Sequence, residues 1–257
     1  MTVTRRHFLV STAAAAGTTI VLPWIPRAAA QASAVFSTNA GDITVHPVNH
    51  ASFVMESPVG TIYCDTVGEA SLYQSFARPD LILITHEHGD HYNPDTLAAL
   101  AGEETQILTN PAVFDMLPDG VKAKASQIAN GGSSEFNGLR IDAIPAYNTT
   151  EERLQFHPQG RDNGYVLGFD GFRVYISGDT EDIPEMRALE GVDLAFVCMN
   201  LPFTMDAEAA ASAVREFRPA VVYPYHYRGR EDGTQDPEEF ARLVGDAAEV
   251  KVIDWYA

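Results

Sequence analysis

Basic residues are scarce in this sequence: 17 Lys and Arg stand against 35 Asp and Glu, a formal net charge of -18. A surface so acidic repels phosphate backbones and anionic headgroups at long range, which argues against nucleic acid as substrate or partner. Cysteine is scarcer still. The two present, Cys64 and Cys198, cannot build a disulfide scaffold. Both sit inside apolar, strand-like runs (TIYCD and LAFVCMN), which predicts buried free thiols. Beyond residue 30 no stretch is long and apolar enough to span a bilayer, so no stable membrane insertion is expected. No internal repeat is visible, and no linker rich in Pro, Gly or Ser divides the chain, so residues 31–257 read as one domain. A G-x-S-x-G nucleophile elbow is missing and the GGSS run at residues 131–134 reads as loop, which leaves no pattern for a Ser-His-Asp hydrolase.

What is present begins with an N-terminus unlike the rest. Arg5 and Arg6 precede a mild apolar segment, FLVSTAAAAGTTIVLPWIP, broken by Gly17, Pro23 and Pro26, and then the small-residue stretch RAAAQASA. A basic start, a short apolar middle and an A-x-A end make residues 1–30 a secretory signal peptide, with cleavage after Ala30 or Ala32. The paired arginines before Phe8 and Leu9 resemble a twin-arginine export signal, which implies a periplasmic or otherwise exported protein delivered to the export machinery already folded. That route suits a protein that takes up metal before export. Losing the segment removes Arg5, Arg6 and Arg27 and no acid, so the remainder is more acidic still.

From about Asp42 the chain reads as strands, DITVHPV, ASFVMES and TIYCDTV, with the turn SPVG between the last two. Residues 81–85, LILIT, form a buried strand. NPDTLAALAG reads as a helix with Pro94 in its first turn and Gly102 past its end, TQILTN as a strand, and PAVFDMLPDG as a short helix closed by a Pro-Asp-Gly turn. A second strand set starts at LRIDAIPAYN and continues through a hairpin whose turn is Asp170-Gly171. Helices and strands then alternate: IPEMRALE, VDLAFVCMN, DAEAAASAVREF, AVVYPYHY, DPEEFARLVGDA and a last strand, VKVIDWY. The pattern predicts an α+β fold of sheets covered by helices.

The chemistry is concentrated in residues 86–91, HEHGDH, directly after the buried strand. Period two points His86 and His88 to one side, Gly89 permits a tight turn, and Asp90 and His91 return to the same space. Two imidazoles then converge on one metal, and a carboxylate with a third imidazole on a neighbour; zinc, manganese and ferrous iron take such ligands. The remaining ligands must come from other strand ends. Asp179 in SGDT and His226 in YPYHY stand at two of them, although a strand-end Asp also suits a helix cap and a lone His a core position.

THEHGDH, SGDT and a late strand ending in His226, in that order across most of residues 31–257, resemble the metallo-β-lactamase fold of zinc-dependent hydrolases. NHASFVME with His50 and TIYCDTV with Asp65 resemble the opening strands of the branch related to ascorbate-phosphate lactonases. The resemblance implies an αββα four-layer sandwich with two divalent metal ions, zinc first and manganese or iron next. It gives His86 and His88 to the first metal, Asp90, His91 and His226 to the second, and makes Asp179 the bridge. Asp65 and His50 would act behind the ligands, Asp65 by orienting a ligand histidine. The family's further histidine on the first metal falls at Asn148 here, so either His157, nine residues on, reaches back, or Asn148 binds through its carbonyl, or the first site is depleted.

A water activated between two metals, with Asp90 as its orienting or proton-accepting residue, would cleave a small ester, lactone or phosphoester. Arg153, Arg161, Arg228 and Arg230 flank the ligand positions and would hold an anionic group; Tyr147, Tyr223, Tyr225 and Tyr227 would line the groove. A metal-binding protein without turnover and an iron-dependent oxidoreductase are the competing classes, and bound-metal count and identity separate them.

Overall fold

Seven strands build the first sheet in plain sequence order: β1 (Ala34–Thr38), β2 (Gly41–Asn49), β3 (Ser52–Ser57), β4 (Gly60–Cys64), β5 (Leu81–Ile84), β6 (Gln106–Thr109) and β7 (Ala125–Gln127). The computed structural model describes residues 34–256; the expected signal peptide lies outside the described residues. The second sheet runs β8 (Ser133–Phe136), β9 (Leu139–Ala146), β10 (Asp162–Phe169), β11 (Phe172–Ile176), β12 (Leu194–Cys198), β13 (Val221–Tyr225) and β14 (Glu249–Val250). Each sheet has four antiparallel strands followed by three joined in parallel. The two halves therefore share one topology, a duplication that no repeat in the sequence discloses.

Burial explains the layers. All four residues of β5 are buried: Leu81 and Leu83 enter the core between the sheets, while Ile82 and Ile84 face a separate cluster with Leu97, Val113, Leu117 and Val121. A strand covered on both faces reads as an unbroken apolar run, which is why LILI shows no alternation. The second cluster is the seat of α1 (Pro94–Leu100), α2 (Pro111–Met116) and α3 (Asp119–Lys122). On the other sheet lie α4 (Pro184–Arg187), α5 (Ala207–Phe217) and α6 (Pro237–Val244). In α5, Ala207, Ala210, Ala211, Val214 and Phe217 are buried at helical spacing, and the Asp206 side chain caps its start by accepting from the Ala209 N–H at 2.8 Å. This is the αββα sandwich expected.

Four local readings need correction. Ser133 and Ser134 begin the edge strand β8 and are not loop. The Pro-Asp-Gly turn opens α3, because Pro118 suits the residue before a helix start as well as a turn. The last strand shrinks to Glu249–Val250. The alternation beyond it serves packing: Trp255 is fully buried, its ring 5.7 Å from Tyr225 and 6.2 Å from Phe53. Strands β1 and β7, which were not expected, pair with β2 and β6 at the two edges of the first sheet. The Asp170-Gly171 hairpin is as read, with φ of 45° and 91°. Cys64 and Cys198 are buried and free.

Candidate metal centre

The loops that leave β2, β4, β5, β9, β11 and β13 bring the titratable residues together. After β5 the backbone turns so that the His91 N–H and the Tyr92 N–H both donate to the His88 carbonyl, at 2.9 and 2.8 Å, which folds Asp90 and His91 back towards His86. After β11, Gly178 has φ 61°, and a Cβ there would lie 2.8 Å from the Asn163 carbonyl; only glycine lets Asp179 enter at this point. His50, Asp65 and His226 all have positive φ, a conformation disfavoured for side chains of this size and held here at three strand ends.

Three groups of ligand atoms each lie within 4.8 Å: His86, His88 and His157; His50, Asp90 and His226; His86, His91 and Asp179. Asp179 is central. Its Oδ1 is 3.3 Å from His91 Nε2, and its Oδ2 is 3.5 Å from His157 Nε2 and 3.3 Å from His226 Nε2. His86 Nε2 and His88 Nδ1 are 3.1 Å apart. The outer nitrogens of three histidines meet acceptors. His91 Nδ1 is 2.8 Å from Asp65 Oδ2, and His157 Nδ1 is 3.0 Å from Asp162 Oδ2. His86 Nδ1 is 3.0 Å from the Thr85 hydroxyl, which gives its own proton to Asp65 at 2.8 Å. Each outer nitrogen thus carries the hydrogen, and each inner Nε2 presents a lone pair to the centre.

That arrangement fits a cation. His91 Nε2 and Asp179 Oδ1 are buried, face each other, and have no hydrogen-bond partner. Two lone pairs at that separation repel unless a proton or a metal ion lies between them. The charges respond in the same sense. Burial works against His91 holding a proton, but Asp179 and Asp65 outweigh it and hold its pKa well above the ordinary value. Burial likewise opposes the Asp179 charge, and His226 and His91 overcome it, so its carboxyl lies well below the usual range. His86 and His88 lack so strong a counter-charge, and burial pushes both down. For Asp90 the hydrogen bonds from His226 and His50 outweigh burial and lower its carboxyl.

A cleft of about 220 Å³ opens onto this centre, lined by His88, Asp90, Phe156, His157, Asp179, Asn200 and Phe203. His157 is in it. Asn148 is not: its side-chain N–H groups donate to the Arg153 and Phe203 carbonyls at 3.0 and 2.7 Å, and its backbone N–H to the His157 carbonyl. It braces the loop that delivers His157. Arg161 is tied up by Asp162 and by Glu87 at 2.8 Å, and Arg153 by Glu181 at 2.7 Å. Arg228 lies 3.8 Å over the Tyr256 ring and Arg230 5.3 Å over Phe203. None of the four arginines lines the cleft. Tyr147 places its hydroxyl on Glu185 and its ring in the core, Tyr223 and Tyr225 are buried beside Trp255, and Tyr227 packs on Tyr256. Three supports were missed in the sequence, Asp162 behind His157, Asn200 with its amide 2.7 Å from His226 Nδ1, and Tyr256, while Arg161, read there as a substrate-holding residue, braces Asp162. Asn200 follows the end of β12, so the strand-end rule that singled out Asp179 and His226 would have reached it.

Two sheets with flanking helices and a histidine–aspartate centre on their loops define the metallo-β-lactamase fold. Residues 44–226 match the beta-lactamase superfamily domain. The chain is 32% identical to a UPF0173 metal-dependent hydrolase of Thermococcus kodakarensis, over 82% of this chain and 96% of that one. A crystal structure from Parabacteroides distasonis, named for metal-dependent hydrolases, superposes with a TM-score of 0.78 at 38% identity, covering 87% of this chain and 98% of the other. The metallo hydrolase Igni18 of Ignicoccus hospitalis shares the fold at 24% identity, with a TM-score of 0.69 and 84% and 96% covered. The chain belongs to the UPF0173 family of metal-dependent hydrolases.

Proposed function

We propose that this hydrolase holds two divalent ions, zinc first, and cleaves a small ester or lactone. The single observation that carries the reading is the position of Asp179, whose two oxygens face His91 on one side and His157 and His226 on the other. His86, His88 and His157 would hold one ion and Asp90, His91 and His226 the other, with Asp179 between them; manganese and iron are the alternatives for the same donors. Bound ions of this kind supply Lewis acidity towards the scissile oxygen and lower the pKa of a water. Asp90, half exposed on the cleft, would orient that water through its carboxylate. Phe156 and Phe203, edge to face at 5.1 Å, form an apolar wall that receives the substrate's carbon skeleton and excludes bulk water. An apolar wall and four arginines directed elsewhere favour an uncharged ester or lactone over a phosphoester.

Elemental mass spectrometry of protein purified without chelators tests the metal count, with about two zinc ions per chain expected; one or none overturns the dinuclear reading. Parallel assays with an alkyl ester, a lactone and a phosphodiester test the bond, and preference for the phosphodiester would reverse the substrate reading. We further propose that residues 1–30 are a twin-arginine signal that exports the 31–257 domain. Replacing Arg5 and Arg6 by Lys should strand the protein, uncleaved, in the cytoplasm.

A further inference from the structure

His50 is wired in the opposite sense to His86, His91 and His157 of the centre. Its Nε2 is 3.2 Å from Asp90 Oδ2, and its Nδ1 is 2.9 Å from the Tyr256 hydroxyl. Taken alone, the three atoms of His50, Asp90 and His226 would suit a metal ion. The hydrogens argue otherwise. Behind His86, His91 and His157 stand acceptors, so those rings present lone pairs inward. Behind His50 stands a hydroxyl that already accepts the Arg228 N–H, at 3.2 Å, and so has its own proton to give. Burial raises the Tyr256 pKa, which keeps that proton in place.

We infer that Tyr256 donates to His50 Nδ1, so that His50 carries its hydrogen on Nε2 and directs it at Asp90, acting as a positioning residue and not as a metal ligand. The inference rests on the dinuclear reading for its function and on hydrogen-bond geometry for its substance. The relay runs from the Arg228 N–H through the Tyr256 O–H and the His50 Nε2–H to Asp90 Oδ2, fixing one oxygen of the residue assigned to the water. The last turn of the chain anchors it: the Trp255 carbonyl accepts the His50 backbone N–H at 3.2 Å, and the Trp255 ring is buried in the core. Tyr256 also holds the loop after His226 through that Arg228 N–H and through the Arg228 guanidinium stacked on its ring. One C-terminal side chain thereby sets both the partner of Asp90 and the backbone next to His226.

The test is the ¹⁵N NMR signature of the His50 ring, read with and without added zinc. The Nε2–H tautomer is expected in both states, with Tyr256→Phe shifting the ring towards the Nδ1–H form. An Nδ1–H ring in the wild type, or zinc-shifted His50 nitrogens, overturns the inference. Zinc affinity gives a second readout. His50→Ala should weaken one zinc by about tenfold through a loosened Asp90, and His50→Gln, whose amide N–H still reaches Asp90, should restore it. If His50→Gln instead loses a whole equivalent of zinc, His50 is a ligand and the inference fails. A wild type that binds fewer than two zinc ions counts against the dinuclear reading, and the tautomer still decides the role of His50.

Discussion

At the residue scale, the instructive pair is His157 and Asn148. The family's usual position fell on Asn148, whose amide N–H groups hold two backbone carbonyls and whose Oδ1 is buried without a partner outside the cleft that His157 lines. His157→Ala should therefore cost about one metal equivalent, measured by elemental mass spectrometry, with little change in folding. Asn148→Ala should keep its metal but lose about 1 kcal/mol of stability in urea, because the half-buried Arg153 and Phe203 carbonyls lose their donor. The reverse outcome would return Asn148 to the ligand set. Asp65 shows a different kind of legibility. Its place at a strand end was plain in TIYCD, but its three partners, the Thr85 N–H, the Thr85 hydroxyl and His91, are set by the fold. No local pattern announces that one carboxylate will orient two candidate ligands at once.

At the scale of elements, strand β5 and the loop after β9 do the positioning. Leu83 lies in the core between the sheets, two residues before Thr85. Leu83→Ala should cost about 2–5 kcal/mol in urea unfolding. The loop after β9 is clamped by Glu181, whose carboxylate accepts the Thr149 and Thr150 N–H groups at 2.7 Å each and pairs with Arg153. Burial opposes its charge, and these hydrogen bonds overcome burial and hold its pKa below the ordinary 4.5. The sign follows from that depression. The stabilisation is complete above the unfolded value and is lost as pH falls through the folded one. Glu181→Gln should flatten the decline of thermal stability below about pH 4.5 relative to wild type; parallel curves would remove Glu181 from the account.

At the scale of the whole molecule, metal and fold are coupled. A centre in which buried His91 Nε2 and Asp179 Oδ1 face each other at 3.3 Å needs a cation between them, a proton or a metal ion. Metal should therefore raise the melting temperature, with about 2.7 kcal/mol of stabilisation at a hundredfold excess over Kd. A chelator should lower the melting temperature of the wild type and leave Asp179→Ala unmoved. Equal shifts in both would show that the ion binds elsewhere. The symmetry of the molecule also bears on the site. Each half ends its fourth strand in an Asp-Thr pair, Asp65-Thr66 after β4 and Asp179-Thr180 after β11, one oriented behind a histidine and one facing three of them.

Most of the order of strands and helices, the candidate metal-ligand cluster at 86–91 and the candidacy of Asp179 and His226 were written in the sequence. Each depends on periodicity, turn chemistry or residue type, which act over a few neighbours. Tertiary structure alone decided the rest: that His157 and not Asn148 lies beside His86 and His88, that Tyr147 belongs to the core, that Arg161 braces Asp162, and that Trp255 anchors a strap reaching His50. Those contacts join residues far apart in the chain, Tyr256 and His50 among them. They are selected by which buried donors and acceptors can satisfy one another once two sheets have closed, and a local pattern holds no record of that choice.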